Sequence, residues 1–333
     1  MSVFLAVVWL LVGLGLILFG ANWLTDGSSA IAKRLGVSDL VIGLTVVAFG
    51  TSAPELAISI ISALNGNTSL AVGNVVGSNI FNILMIIGVT ACIRPICVER
   101  SVITEEIPMV VLAALVMLLF GLAPVLDAGA PRSITRLDAL ILLCFLVLYL
   151  RYTMVSARKA PACEQCAPVS STQASSIESV KQMPAWKASL LVIVGLAALV
   201  YGGDRFVDGA SDVARVLGMS DAVIGLTIVA AGTSLPELAT SAAAALKDKP
   251  GLAIGNVIGS NILNITLVLG TAAVIRPLPF GGVTTADLLV QLGASLLFLL
   301  FGWIIGKRTI TRGEGAVMIA LFVAYTAWLV TTV

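Results

Sequence analysis

The 333-residue chain contains no histidine, and only 11% of its residues are charged. The first absence removes the Ser-His-Asp triad, a histidine general base and histidine-ligated zinc. The second removes an ordinary water-facing surface, because soluble domains carry about 25% charged residues. The net charge of +1 is not concentrated in a basic patch, so nothing points to nucleic acid. No Walker A motif offers a site for ATP. The five cysteines are too scattered for a disulfide framework. Only Cys163 and Cys166 form a CxxC, in a polar stretch where exposed reduced thiols are the expectation.

What the chain has instead is apolar length. Hydrophobic residues make up 59% of it. Nearly uncharged runs at Phe4–Phe19, Val110–Ala123, Ala139–Leu150, Leu190–Val200 and Leu288–Ile305 approach the ~20 residues that cross a bilayer as a helix. The chain reads as an all-α polytopic membrane protein. No Lys or Arg precedes the first run and no small-residue cleavage site follows it, so it reads as a retained first span.

An internal repeat organises the rest. Gly43–Ala57 reads GLTVVAFGTSAPELA and Gly225–Ala239 reads GLTIVAAGTSLPELA, identical at 12 of 15 positions. Gly73–Ile83, GNVVGSNIFNI, recurs as Gly255–Ile265, GNVIGSNILNI, at the same offset of 182 residues. The halves are placed at 1–153 and 186–333, with a polar linker at 154–185. Helices are expected near 3–20, 38–64, 70–93, 106–125 and 136–153, then near 186–202, 220–246, 252–275, 284–305 and 315–332. Five spans per copy is an odd number, so the ten helices form two five-helix repeats of inverted topology, as in secondary transporters whose sites lie at the repeat interface. Fourteen of the 19 Lys and Arg fall in loops after spans 1, 3, 5, 7 and 9; Arg132, Arg136, Arg205, Arg215 and Arg276 fall on the other side. The positive-inside bias then puts both termini outside and the linker in the cytoplasm of a bacterial inner membrane.

Most acidic residues map to loops or span ends, but Glu55 and Glu237 sit in mid-span. A carboxylate there costs at least about 2.5–3.5 kcal/mol and is a functional-site hypothesis by default. No Lys or Arg lies in the core of any span to pair with them. Pro54 lacks an N–H and its ring displaces the carbonyl of Gly50, so the helix is expected to break beside Glu55 and expose backbone oxygens. Thr51 stands four residues before Glu55 and so on the same face. Gly232, Thr233, Ser234, Pro236 and Glu237 repeat the arrangement. One such motif would be an ordinary proline kink, but two at matched positions converge on one centre. Ser78 with Asn82, and Ser260 with Asn264, are further i, i+4 pairs that complete the ligand set. The glycines of those spans also serve close packing. Asn74, Asn79, Asn256 and Asn261 suit helix–helix hydrogen bonds as well as cation contact. An all-oxygen donor set selects Ca2+ or Na+ over softer metals.

These motifs carry a resemblance. The paired GTSxPEL and GNVxGSNIxNI segments resemble the alpha repeats of the cation/calcium exchanger superfamily, and nearly the whole chain outside the linker resembles its bacterial sodium/calcium antiporters. The resemblance implies Na+/Ca2+ antiport by alternating access, not catalysis. It implies a Ca2+ site on Glu55, Glu237, Thr51 and Thr233, with Na+ sites also using Ser52, Ser78, Ser234, Ser260 and the carbonyls of Ala48 and Ala230. It implies that spans 1 and 6 slide against the bundle, and Asn264 argues for potassium independence. No cofactor and no obligatory protein partner are expected beyond the transported ions and the bilayer. Ca2+/H+ exchange on the same glutamates and a Ca2+-permeable channel are the alternatives. An intramembrane protease has no base for Ser52 or Ser234.

Overall fold

In lipid every backbone N–H and C=O must be paired within the protein, so long apolar segments fold as helices. A computed structural model describes residues 3–66, 68–159, 183–216, 230–305 and 308–332. Its helices are α1 (Val3–Leu35), α2 (Asp39–Thr51), α3 (Ala53–Asn65), α4 (Leu70–Ile93), α5 (Val102–Gly121), α6 (Arg136–Lys159), α7 (Ala185–Val216), α8 (Leu235–Leu246), α9 (Pro250–Ile275), α10 (Thr285–Ile305) and α11 (Arg312–Thr332). Among the described residues seven are long and apolar enough to cross a membrane, and α2 with α3, bent by 44°, make an eighth crossing. The other two expected spans correspond to α11 and to α8. The residues expected to begin the α8 span, 220–229, lie outside the described residues, as does most of the linker, Cys163 and Cys166 included.

The two first spans are longer than expected, 33 and 32 residues against 3–20 and 186–202. Polar residues from Asn22 and Asp204 onward read as loop, but the helices continue through them. Side chains satisfy themselves along the helix: Asn22 Nδ2 donates to the Leu18 carbonyl, Thr25 Oγ1 to that of Ala21, and Arg205 and Arg215 pair with Asp208 and Asp212 three residues away. At 1.5 Å per residue each helix is about 50 Å long, more than the ~30 Å hydrocarbon core, so both must tilt or project into water. α1 stops at Gly36, whose φ of 67° suits glycine.

α1 and α7 pack along their whole length, antiparallel. A Cβ on Gly13 would lie 2.7 Å from the Gly202 carbonyl, on Gly20 2.8 Å from that of Gly195, on Gly27 2.7 Å from that of Ala188, and on Gly209 2.7 Å from that of Ala6. Residue numbers on one helix rise as those on the other fall, so corresponding spans of the two repeats run in opposite directions. Only glycine permits this backbone approach.

α4 and α9 are the most enclosed spans, each interrupted by a π-helical segment, Phe81–Ile86 and Asn264–Leu269. Asn79 Nδ2 donates to the Asn261 carbonyl at 3.2 Å, and these two residues are repeat equivalents, so the pseudo-twofold passes between them. Short antiparallel strands close the ends. β1 (Ile96–Cys97) pairs with β4 (Thr309–Ile310), and β2 (Ser133–Ile134) with β3 (Leu278–Pro279), so each pair ties one repeat to the other. Three reciprocal Thr-to-acid bonds, Thr135 with Asp138, Thr284 with Asp287 and Thr311 with Glu314, start α6, α10 and α11. Cys97 is disulfide-bonded, which the scattered spacing did not suggest, while Cys92 and Cys144 are free thiols.

Candidate cation site

The site is built on the two broken helices. Ser52 between α2 and α3 has φ −82° and ψ 6°, and Ser234 before α8 has φ −92° and ψ 7°, so the two proline motifs adopt one geometry. Each places Pro near the start of the new helix, where its missing N–H costs nothing. Glycine in the motif serves space rather than flexibility: Gly50 is helical and buried, with Leu196 of α7 against it, and Gly232 lies against Val207.

Glu55 and Glu237 are both 0% exposed and carry a crossed set of bonds. Ser234 Oγ donates to Glu55 Oε1 at 3.2 Å and Ser52 Oγ to Glu237 Oε1 at 3.1 Å, so each carboxylate is held by the serine of the other repeat. Ser78 and Ser260 reach the same oxygens at 3.5 Å from α4 and α9. Ser234 Oγ is also 3.1 Å from Ser78 Oγ. The second oxygens, Glu55 Oε2 and Glu237 Oε2, have no hydrogen-bond partner, and neither carboxylate forms an ion pair among the described residues. Asn82 Oδ1 and Asn264 Oδ1 are likewise buried and unpartnered. Four bare oxygens on four neighbouring helices are costly in a low-dielectric interior unless a cation meets them.

The other expected residues fall around this centre. Thr51, fully buried, donates to Asn256 Oδ1 at 3.0 Å, and Thr233, half-buried, to Asn74 Oδ1 at 3.4 Å. The Ala48 carbonyl accepts from the Ser52 N–H at 3.0 Å and more distantly from Thr51 Oγ1. Ala230 opens a three-residue helical turn just before Ser234. The asparagines that the sequence left open act as struts. Asn256 Nδ2 binds the Glu237 carbonyl and Ser241 Oγ, and Asn79 Oδ1 accepts from Asn264 Nδ2 at 3.0 Å. Glu106 was missed: it lies in a π-helical turn at the start of α5, only 4% exposed, with Oε2 unpartnered. Its position at a span end hid it, because only the packing of α5 shows how enclosed that end is.

A cavity reaches the site. Its volume is about 890 Å³, and it runs along the second half of α7, past Asp204 and Asp208, to Pro54, Thr233 and Pro236 beside the site. At the opposite end Thr51 and Ser52 are sealed, and Lys247 holds Asp26 of α1 at 2.8 Å and the Asn22 carbonyl at 3.1 Å.

Residues 5–155 and 187–331 match the family described as Sodium/calcium exchanger protein. The chain belongs to that family. Its members are ion exchangers, not enzymes, and the chain is a multi-pass integral membrane protein. It is 40% identical over 326 residues to the putative antiporter CaxA of Alkalimonas amylolytica, covering 96% of this chain and 97% of the relative. It is 32% identical over 341 residues to the sodium/calcium exchanger MaX1 of Methanosarcina acetivorans, covering 95% and 96%. The solved structure of the sodium-calcium exchanger NCX_Mj superposes with a TM-score of 0.81 at 33% identity, over 97% of this chain and 98% of the other.

Proposed function

We propose that the chain exchanges Na+ for Ca2+ by alternating access, the two ions competing for one site between Glu55 and Glu237. The crossed serine–glutamate arrangement carries this reading: it joins the repeats at two fully buried carboxylates that no ion pair neutralises among the described residues. Two carboxylates neutralise one Ca2+ or two Na+, and hard oxygen donors suit both. Competition for the same oxygens then couples the fluxes. The cavity that reaches Pro54, Thr233 and Pro236 supplies a route to the site, and the sodium/calcium relatives supply the counter-ion.

The test is radiocalcium uptake into proteoliposomes under an imposed Na+ gradient, an imposed pH gradient, or neither. Uptake driven by the Na+ gradient is expected. Uptake that follows only the pH gradient would assign proton coupling to the same glutamates, and uptake indifferent to either gradient would assign a channel.

For orientation we propose termini outside and the linker in the cytoplasm, from the distribution of Lys and Arg. Asp127, in a loop expected outside, tests this: Asp127→Cys should react with an impermeant thiol reagent added to intact cells. Protection of that cysteine until the cells are opened would reverse the topology.

A further inference from the structure

The two strand-paired corners are repeat equivalents. At β2–β3 the Phe280 N–H donates to the Arg132 carbonyl at 3.2 Å; at β1–β4 the Val98 N–H donates to the Arg308 carbonyl at 2.8 Å. Phe280 therefore corresponds to Val98, and Arg132 to Arg308. In the first corner Phe280 is fully buried, the Arg132 guanidinium lies 5.4 Å from its ring centre, and Arg132 Nε donates to the Gly121 carbonyl at 3.1 Å. In the second, Val98 is likewise fully buried in the core. Beside this corner lies a cavity of about 300 Å³, lined by Arg100, Ile103, Thr104, Trp303 and Arg308.

That volume is far more than one water occupies and accepts a polyatomic group. Two guanidinium groups border it, and Glu99 nearby feels the charge of Arg308. Guanidinium forks match phosphate oxygens. The mouth is not in open water: Trp303 is 61% exposed, and Ile304 and Ile305 continue its apolar surface at the end of α10. Tryptophan at a span end marks the headgroup level, and basic pockets between spans there take anionic headgroups.

We propose that this corner binds the phosphate of an anionic membrane phospholipid between Arg100 and Arg308, with its acyl chains lying along Trp303 and Ile304. The proposal does not depend on which ion the exchanger carries.

The test is native mass spectrometry of the full chain released from nanodiscs containing equal phosphatidylglycerol and phosphatidylcholine. The wild type should retain phosphatidylglycerol preferentially. Thr104→Phe, which narrows the cavity at one of its lining residues without touching a charge, should lower retention by about tenfold or more. Arg100→Gln with Arg308→Gln should erase the preference for phosphatidylglycerol. Equal retention by wild type and Thr104→Phe would overturn the proposal. So would stabilisation of lipid-free protein by inorganic phosphate to the extent given by phosphatidylglycerol, because the site would then serve a soluble anion. Should Thr104→Phe fail to fold, Arg100→Gln carries the test, since Arg100 is exposed.

Discussion

Glu55→Gln and Glu237→Gln are each expected to abolish Ca2+ transport while leaving a folded, monodisperse protein. Glutamine keeps the shape of glutamate and an oxygen that still accepts from Ser234 or Ser52, so the crossed bonds between repeats survive. What is lost is one of the two charges that face the cation. Removing one partner of a buried charge pair costs about 2–5 kcal/mol. At 1.4 kcal/mol per tenfold this is a loss of roughly 30- to 4,000-fold in apparent Ca2+ affinity. Because the two residues occupy equivalent places, the losses should be similar. Radiocalcium flux and size-exclusion chromatography of the same preparations measure both halves of the statement. Normal transport by either variant would sink the shared site.

Gly20→Leu should be as damaging for a different reason, and Gly15→Leu nearly silent. A Cβ on Gly20 would sit 2.8 Å from the Gly195 carbonyl oxygen and 2.9 Å from the Leu199 nitrogen, both backbone atoms that no rotamer change can clear. α1 and α7 would have to separate along the seam that joins them. Overpacking of this kind costs about 1–3 kcal/mol even where side chains yield, which for a chain of this length corresponds to a fall of roughly 4 °C in Tm at the upper figure. Transport should be lost with it, because α7 also covers Gly50 and Gly232 of the site. Gly15, five residues before Gly20 and on another face of the helix, has nothing within 4 Å among the described residues, so a leucine there meets open space. Thermal unfolding of the two variants in one detergent is the measurement. Equal stability would mean that the α1–α7 contact does not hold the pair together.

Both predictions draw on positions that the sequence marked unequally. Glu55 and Glu237 stood out because a carboxylate in an apolar run has no cheap explanation, and duplication doubled the signal. The glycine seam was equally visible as a seven-residue spacing, 13, 20 and 27 repeated at 195, 202 and 209, yet glycine in a membrane helix has too many ordinary roles for spacing to say which face it serves. The lengths of α1 and α7 were misread for a related reason. Asp26, Asp204 and Arg205 look like loop residues until Lys247 and Asp208 are found beside them, and Lys247 lies far along the chain from its partner. Asn79 and Asn256 could not be sorted between strut and ligand because the choice depends on what stands across the interface.

The sequence by itself determined that the protein lies in a membrane, that it is a duplicated unit, and which two acids stand in mid-span, because hydropathy and repetition are properties of the chain read in order. Only the tertiary structure decided which serine holds which glutamate, where a cavity reaches the site, and which asparagines act as struts. Those are relations between residues roughly 180 positions apart, brought together by the crossing of α4 and α9 and the antiparallel docking of α1 on α7. Side-chain volume and hydrogen-bond partners take effect only at contacts, and a repeat written twice in one direction acquires its opposed contacts only when the two copies fold against each other.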